Sequence, residues 1–176
     1  MFDMDGPVIA DVFADMMDKT LKSVDIKPSG YLGKSSMFHL NPFRPPVNPF
    51  EENEFNDIAV QTLISAKELF SEGDMDYTAE RLKEVSPVFM KLKKNKVPFS
   101  AKTRQLCHMT LFALACVAIL APHIVNTPWE HPYFLLRLMD KDSPSVPGMA
   151  ENCRLLLAHM EKVDPSLKEM FQQLYR

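Results

Sequence analysis

Glycine is scarce in this chain, with five residues among 176. Turn-rich all-β architectures depend on glycine for their many tight turns, so this shortage disfavours them. The alternation of apolar and polar residues that is typical of strands is also lacking, whereas apolar residues recur at helical spacing in most segments. These features predict an all-α fold: a single bundle of five to seven helices, preceded by an amphipathic helix and an extended proline-rich strap.

Cysteine is also rare, and its three residues, Cys107, Cys116 and Cys153, form no CxxC pair. An odd number of separated cysteines argues against the disulfide framework of a secreted protein and favours a reducing compartment, the cytoplasm or the nucleus. The spacing of cysteine and histidine matches no metal-binding motif. We therefore expect an intracellular protein with no metal or other cofactor, and core positions for Cys107 and Cys116.

The chain lacks an excess of positive charge, since its net charge is −3 and its pI is about 5.9. This balance gives no electrostatic reason to expect nucleic acid as a partner. Long apolar runs are lacking too: the unbroken run at residues 111–121 is shorter than the roughly 20 residues of a membrane span. We expect residues 109–125 to lie in a buried core helix, and a membrane-associated protein anchored by them is an alternative.

What the sequence does contain begins with an amphipathic helix, predicted from Pro7 to Val24. Apolar residues recur along it at helical spacing, and charged residues, mostly acidic, occupy the opposite stripe. An isolated helix of this length is marginal in water, so the rest of the chain or a partner must cover its apolar face. We predict that this face binds another protein or a second copy of the chain. The predicted partner-binding residues of the helix are Ile9, Val12, Phe13, Met16 and Leu21.

A proline-rich strap is predicted at residues 26–51, between the helix at 1–25 and the bundle at 52–176. Its prolines are expected to preclude a stable helix. The strap contains the tripeptide Asn-Pro-Phe twice, ending at Phe43 and at Phe50. Asn can start a tight turn and Pro fixes φ, so each Phe is presented outward. The tripeptides resemble the ligands of EH-domain endocytic adaptors, which implies that both Phe side chains bind partners; the alternative is that they pin the strap to its own bundle.

Capping residues and helix breakers divide the predicted bundle. The first helix is predicted to begin near Asn53 and to end at Gly73, and Pro87 is predicted to kink or split the second. Ser100 is the predicted N-cap of a central helix at about Ala101–Leu120. The last three helices are predicted from Thr127 to Met139, from Gly148 to Lys162, and after the Asp164 cap.

One short motif indicates an enzyme instead. Phe2-Asp3-Met4-Asp5-Gly6 resembles the first motif of the haloacid-dehalogenase phosphatases. The resemblance implies that Asp3 is a nucleophile, that Asp5 is a general acid/base, and that both help to hold magnesium. In that family the motif follows a buried parallel strand of a doubly wound sheet, whereas this sequence shows no alternation of strands and helices. A magnesium-dependent phosphatase is therefore the alternative to a protein without catalytic activity.

Two further stretches resemble helical interaction domains. Residues 66–74, followed by Ala79, look like the helix–turn–helix junction of a tetratricopeptide unit, of which a single copy is visible. The second set of residues comprises Arg81-Leu82, Phe99-Ser100, Trp129 and Leu138-Met139. This set is similar to the helical domain shared by the steroid-receptor RNA-activator protein and the C-terminus of the outer COPII coat subunit. The resemblance covers about residues 54–163, and the intervals between the matching residues are longer in this chain than in that domain. That resemblance implies a five-helix interaction module, so we expect a non-catalytic scaffold or adaptor that binds partners by helix-in-groove packing.

Overall fold

The computed structural model describes residues 6–24, 49–94 and 100–174, with side chains at 8–24, 55–89 and 100–174. Within these residues the backbone forms seven α-helices and no strand, which confirms the predicted all-α bundle. The helices are α1 (Gly6–Ser23), α2 (Pro49–Ser71), α3 (Met75–Lys94), α4 (Ala101–Leu120), α5 (Pro132–Lys141), α6 (Met149–Val163) and α7 (Ser166–Leu174). Two short 3₁₀ turns, Pro122–Ile124 and Pro128–Glu130, lie between α4 and α5.

α4 is the centre of the bundle, as its continuous apolar composition predicted. Fifteen of its twenty residues are buried, and α1, α2, α3 and α5 all pack against it. Ser100 caps it, because the Ser100 Oγ accepts a hydrogen bond from the Thr103 N–H at 3.2 Å. α6 packs on α5 and α7 packs on α6, so the last two helices form an outer layer.

α1 lies against α4 and α2, with its apolar face toward the core. The ring of Phe13 stacks on that of Phe70 in α2, with centroids 3.9 Å apart and planes inclined by 6°. Further along α1, Asp18 forms an ion pair with Lys67 of α2 at 2.7 Å. The contacts move toward higher residue numbers in α1, from Phe13 to Asp18, and toward lower numbers in α2, from Phe70 to Lys67. The two helices therefore run antiparallel. In this fold the chain's own bundle therefore covers the apolar face of α1.

The boundary between the strap and the bundle differs from the prediction. α2 begins at Pro49, so residues 49–51 are helical and the prediction that this proline precludes a helix is wrong. Proline is tolerated at the first helical position, because the N–H that it lacks has no intrahelical acceptor there. Pro87 does not split α3, which is continuous through it. Its neighbours Val88 and Phe89 are fully buried, and this packing offsets the missing hydrogen bond.

The prediction that a helix starts at Thr127 is also wrong. The Thr127 N–H donates to the Glu130 carboxylate at 3.2 Å, but this pair closes only a 3₁₀ turn. α5 begins at Pro132, where the Nδ1 atom of His131 accepts a hydrogen bond from the Tyr133 N–H at 3.1 Å. Proline has no N–H to extend the preceding turn, so Pro132 separates the turn from the helix and starts the helix itself.

Other helix ends follow the predicted signals. Gly73 ends α2 with a φ of 81°, in the left-handed region that glycine adopts without strain. The Asp74 carboxylate then accepts a backbone N–H of the first turn of α3 at 3.1 Å. Gly148 is the N-cap of α6, one residue before the helix begins. Asp164 accepts the Ser166 N–H at 3.1 Å at the start of α7.

Candidate interaction surface

An open groove of about 400 Å³ lies between α3 and the segment that follows α4. Its lining residues are Asp76, Ala79, Glu80, Lys83, Glu84, His123, Ile124 and Asn126. From Asp76 to Glu84 the helix rises by about 12 Å, which sets the length of the groove. That length accommodates about two turns of a helix or four residues of extended chain.

The floor of the groove is apolar, because Ala79 and Ile124 form it and are almost fully buried. Lys83 lies beside them and is turned toward the far wall. Its Nζ donates to the Ile124 carbonyl and lies 3.2 Å from the Glu130 carboxylate. Both side chains of this ion pair are only 24% exposed. The charge of Lys83 is therefore offset by the Glu130 carboxylate and does not neutralise the other carboxylates of the groove.

The rim of the groove is acidic. Asp76, Glu80 and Glu84 recur every four residues, so they form a stripe along one exposed face of α3. Asp76 bonds to the imidazole of His123 across the groove. Glu84 pairs with Arg81 at 3.4 Å, and both side chains are well exposed, so the pair is weak. Among the described residues Glu80 forms no ion pair, which leaves its carboxylate open to a ligand.

One exposed aromatic side chain lies beside the rim of the groove. Tyr77 is 59% exposed and lies three residues from Glu80 on α3, which makes the two side chains neighbours on the helix surface. Large aromatic side chains usually bury most of their area, and Tyr is enriched in protein interfaces. The exposure of Tyr77 next to Glu80 makes this side of the groove suited to a partner.

The structure places the predicted partner-binding face of α1 inside the bundle. Ile9, Phe13 and Met16 are at most 1% exposed. Val12 and Leu21 are partly buried at the edge of the same core. A partner reaches this face only when α1 leaves α2 and α4, so binding there stays a prediction.

Four other predicted residues lie outside the part of the chain that the structure describes. They are Phe43, the side chain of Phe50, and the acidic pair Asp3 and Asp5. Recognition of the strap by an EH-domain adaptor therefore stays a prediction, and so does the phosphatase alternative.

The three cysteines are buried, and for Cys107 and Cys116 this is the core position that was predicted. Burial raises the pKa of the Cys116 thiol well above its usual range, and the nearby Cys153 adds to the effect. Burial likewise raises the pKa of Cys153 to about 12, with a further contribution from Asp140. The thiolate is the reactive form of cysteine, so Cys116 and Cys153 are poor nucleophiles at neutral pH.

Residues 6–24, 49–94 and 100–174 contain no group of three or more His, Cys, Asp or Glu side chains that could hold a metal ion. Within the same ranges one helix, α4, is long and apolar enough to cross a membrane, and 83% of its apolar window is buried in the bundle. The core helix of a packed domain has the same length and composition, so the membrane-associated alternative stays a prediction.

Comparisons of the chain with models of protein families, with curated proteins and with solved structures found no match. The resemblances to a tetratricopeptide unit and to the helical domain of the RNA-activator and COPII proteins therefore stay predictions.

Sequence patterns did not predict the groove. The available signal was the spacing of Asp76, Glu80 and Glu84, which is also that of an ordinary solvated helix face. His123 lies 47 residues from Asp76, so their contact depends on how α3 and α4 pack. The groove is thus a product of tertiary structure.

Proposed function

We propose that this protein is a non-catalytic interaction module, a scaffold or adaptor that binds partner proteins. The groove between α3 and the segment after α4 carries the proposal, because it combines an apolar floor, an acidic rim and an exposed aromatic side chain, Tyr77, beside the rim. Protein interfaces likewise combine an apolar centre with a polar rim, and tyrosine is enriched in them. α3 packs on α4, and a 3₁₀ turn follows α4 directly, so both walls belong to the packed bundle.

The apolar face of α1 is the other surface to weigh. Its packing on α2 and α4 is a helix-in-groove contact made within the chain, with Ile9, Phe13 and Met16 as its anchors. Each such anchor contributes about 1.5–3 kcal/mol when it is buried, so a partner helix or a second copy would have to replace several of these contributions. A ligand in the open groove meets the contact between Asp76 and His123 that crosses it, but no helix has to leave the bundle, and we therefore propose the groove as the binding surface.

Affinity capture from a cell lysate, followed by mass spectrometry, tests the proposal. The baits are the full chain, the variant Glu80→Lys and the matched control Glu151→Lys. Glu151 is exposed on α6 and does not line the groove, so its substitution makes the same charge change elsewhere. We expect the wild type and Glu151→Lys to retain the same proteins, and Glu80→Lys to lose at least one of them.

Two results would count against the proposal. Equal retention by all three baits would show that the groove is not the binding surface. A wild-type chain that retains no protein above the bare matrix would argue against an interaction module. Circular dichroism of the three baits should be the same, because both substituted side chains are exposed.

A further inference from the structure

We infer that the partner of the groove is a basic, amphipathic segment of another protein, in which arginine or lysine side chains flank an apolar residue. The inference rests on the proposed function, since it names the class of partner for the same groove. Three features carry it: the charge of the groove's rim, the apolar character of its floor and the exposed ring of Tyr77 beside the rim.

The charge of the rim selects a cation. Asp76, Glu80 and Glu84 present three carboxylates along one side of the groove. The lysine in the lining, Lys83, lies 3.2 Å from the Glu130 carboxylate, which offsets its charge, so Lys83 opposes a bound cation weakly. Complementary charges of this kind determine which partner docks and in what register.

Glu80 is the carboxylate that a cation reaches first. Asp76 already bonds to His123, and Glu84 has Arg81 at 3.4 Å. Glu80 lies between them on the exposed stripe and forms no ion pair with the residues that the structure describes. A guanidinium or ammonium group at Glu80 therefore gains an ion pair without breaking one.

The floor and the neighbouring Tyr77 suit the rest of a basic side chain. Arginine and lysine have apolar stems with charged heads, so a stem lies on Ala79 and Ile124 while its head reaches the rim. The exposed ring of Tyr77 attracts cations through its face. An apolar residue between two basic ones would rest on the same floor.

The chain itself is a weaker candidate for the groove. Its net charge is −3, so two copies repel each other on approach, although the four lysines at residues 91–96 make a second copy an occupant that the titration has to distinguish. An acidic peptide is excluded by the same repulsion. These two occupants serve as the contrasting outcomes of the experiment.

The test is a nuclear magnetic resonance titration of the ¹⁵N-labelled full chain. One probe is a short synthetic peptide in which arginines flank a leucine, and the matched probe has glutamate in place of every arginine. We expect the arginine peptide to shift the amide signals of Ala79, Glu80, Ile124 and Asn126, and the glutamate peptide to leave them unchanged. Added salt should weaken the binding, because exposed charges are screened over about 8 Å at physiological ionic strength.

Substitution of Glu80 makes the test specific to the groove. Glu80→Gln should weaken binding of the arginine peptide by about two- to fivefold, the effect of one exposed charge pair. Glu80→Lys should weaken it further through repulsion, and Glu151→Gln should leave the affinity unchanged.

Several outcomes overturn the inference: no shift with the arginine peptide, equal shifts with the glutamate peptide, shifts confined to residues outside the groove, or equal affinity for Glu80→Gln and the wild type. If the amide signals of the groove broaden as the protein concentration rises in the absence of peptide, the occupant of the groove is a second copy of the chain and not a basic segment of another protein. Capture of proteins that depends on Glu80, without binding of the arginine peptide, would keep the proposed function and reject the basic partner. Capture that does not depend on Glu80 would reject the proposed function itself.

Discussion

At the scale of single residues, Phe13 ties α1 to the bundle. Its side chain is 1% exposed, and its ring stacks on Phe70 of α2. Phe13→Ala removes the stacking and leaves a cavity, so we expect the free energy of unfolding to fall by about 3–5 kcal/mol. Urea denaturation followed by circular dichroism measures the change. Val8→Ala is the control, since Val8 is 51% exposed on the same helix, and equal effects of the two substitutions would contradict the packing of α1 on α2.

His131 makes the stability of α5 depend on pH. Burial lowers the pKa of its imidazole below the usual 6.5, although the nearby Asp164 acts in the opposite direction. Only an unprotonated Nδ1 can accept the Tyr133 N–H, so protonation removes the cap. Because the pKa is lower in the folded state, the unfolded chain takes up the proton first as the pH falls. The stabilisation is therefore complete above about pH 6.5 and is lost as the pH falls toward the folded-state pKa.

Unfolding of the wild type and of His131→Asn over this range of pH measures the effect. Asparagine keeps an oxygen that can cap the helix but does not titrate. We expect the wild type to lose more stability than His131→Asn as the pH falls through 6.5, the usual pKa of the ring. Parallel losses would show that His131 is not the group responsible.

At the scale of helices, Ser100 connects the start of α4 to α2. Its Oγ lies 2.9 Å from the Oγ1 of Thr103, to which the buried Asn56 of α2 donates a hydrogen bond of 2.9 Å. Ser100→Ala removes the cap and one member of this network, so we expect the free energy of unfolding to fall by about 1–2 kcal/mol. Thermal denaturation measures it against Ser145→Ala, because Ser145 is exposed in a loop. Unchanged stability of Ser100→Ala would contradict its role as a cap.

The helix ends show which signals in the sequence suffice to predict structure. Ser100 and Gly73 act where they were predicted to act, because a cap and a left-handed turn depend on a few adjacent residues. The effect of Pro49 was predicted wrongly, and the helix predicted from Thr127 starts at Pro132, since a proline can start a helix or break one. Pro87, which was predicted to kink or split its helix, does not split it. Which of these occurs depends on position and on packing, and the packing of Val88 and Phe89 beside Pro87 is not visible in local sequence.

The two candidate surfaces were predictable to different degrees. The pattern of α1 showed that Ile9, Phe13 and Met16 had to be covered, but the spacing of residues within one helix contains no information on what covers them. The groove joins Asp76 to His123 across 47 residues of chain, and a sequence pattern gives no distance between them. Composition and periodicity therefore predicted the fold class, whereas both surfaces required the packed structure.

At the scale of the whole molecule, α1 is part of the core. Removal of residues 1–24 uncovers Phe70 and the faces of α2 and α4 on which α1 packs. We expect the chain 25–176 to bind the dye ANS and to lose cooperative thermal unfolding, because a large apolar surface is left without a partner. Dye fluorescence and a calorimetric scan, each compared with the full chain, measure this. A truncated chain with a sharp transition and no dye binding would contradict the core role and would favour α1 as a ligand for partners.

The distance along the chain between α1 and α4 has a consequence for synthesis. α1 is complete at Ser23, whereas α4 begins at Ala101. At about 5–20 residues per second, a ribosome takes roughly 4–16 s to add the intervening chain. During that time Ile9, Phe13 and Met16 have no α4 to cover them, and nascent chains with exposed apolar residues are those that chaperones bind. α1 thus waits for α4 before it can dock.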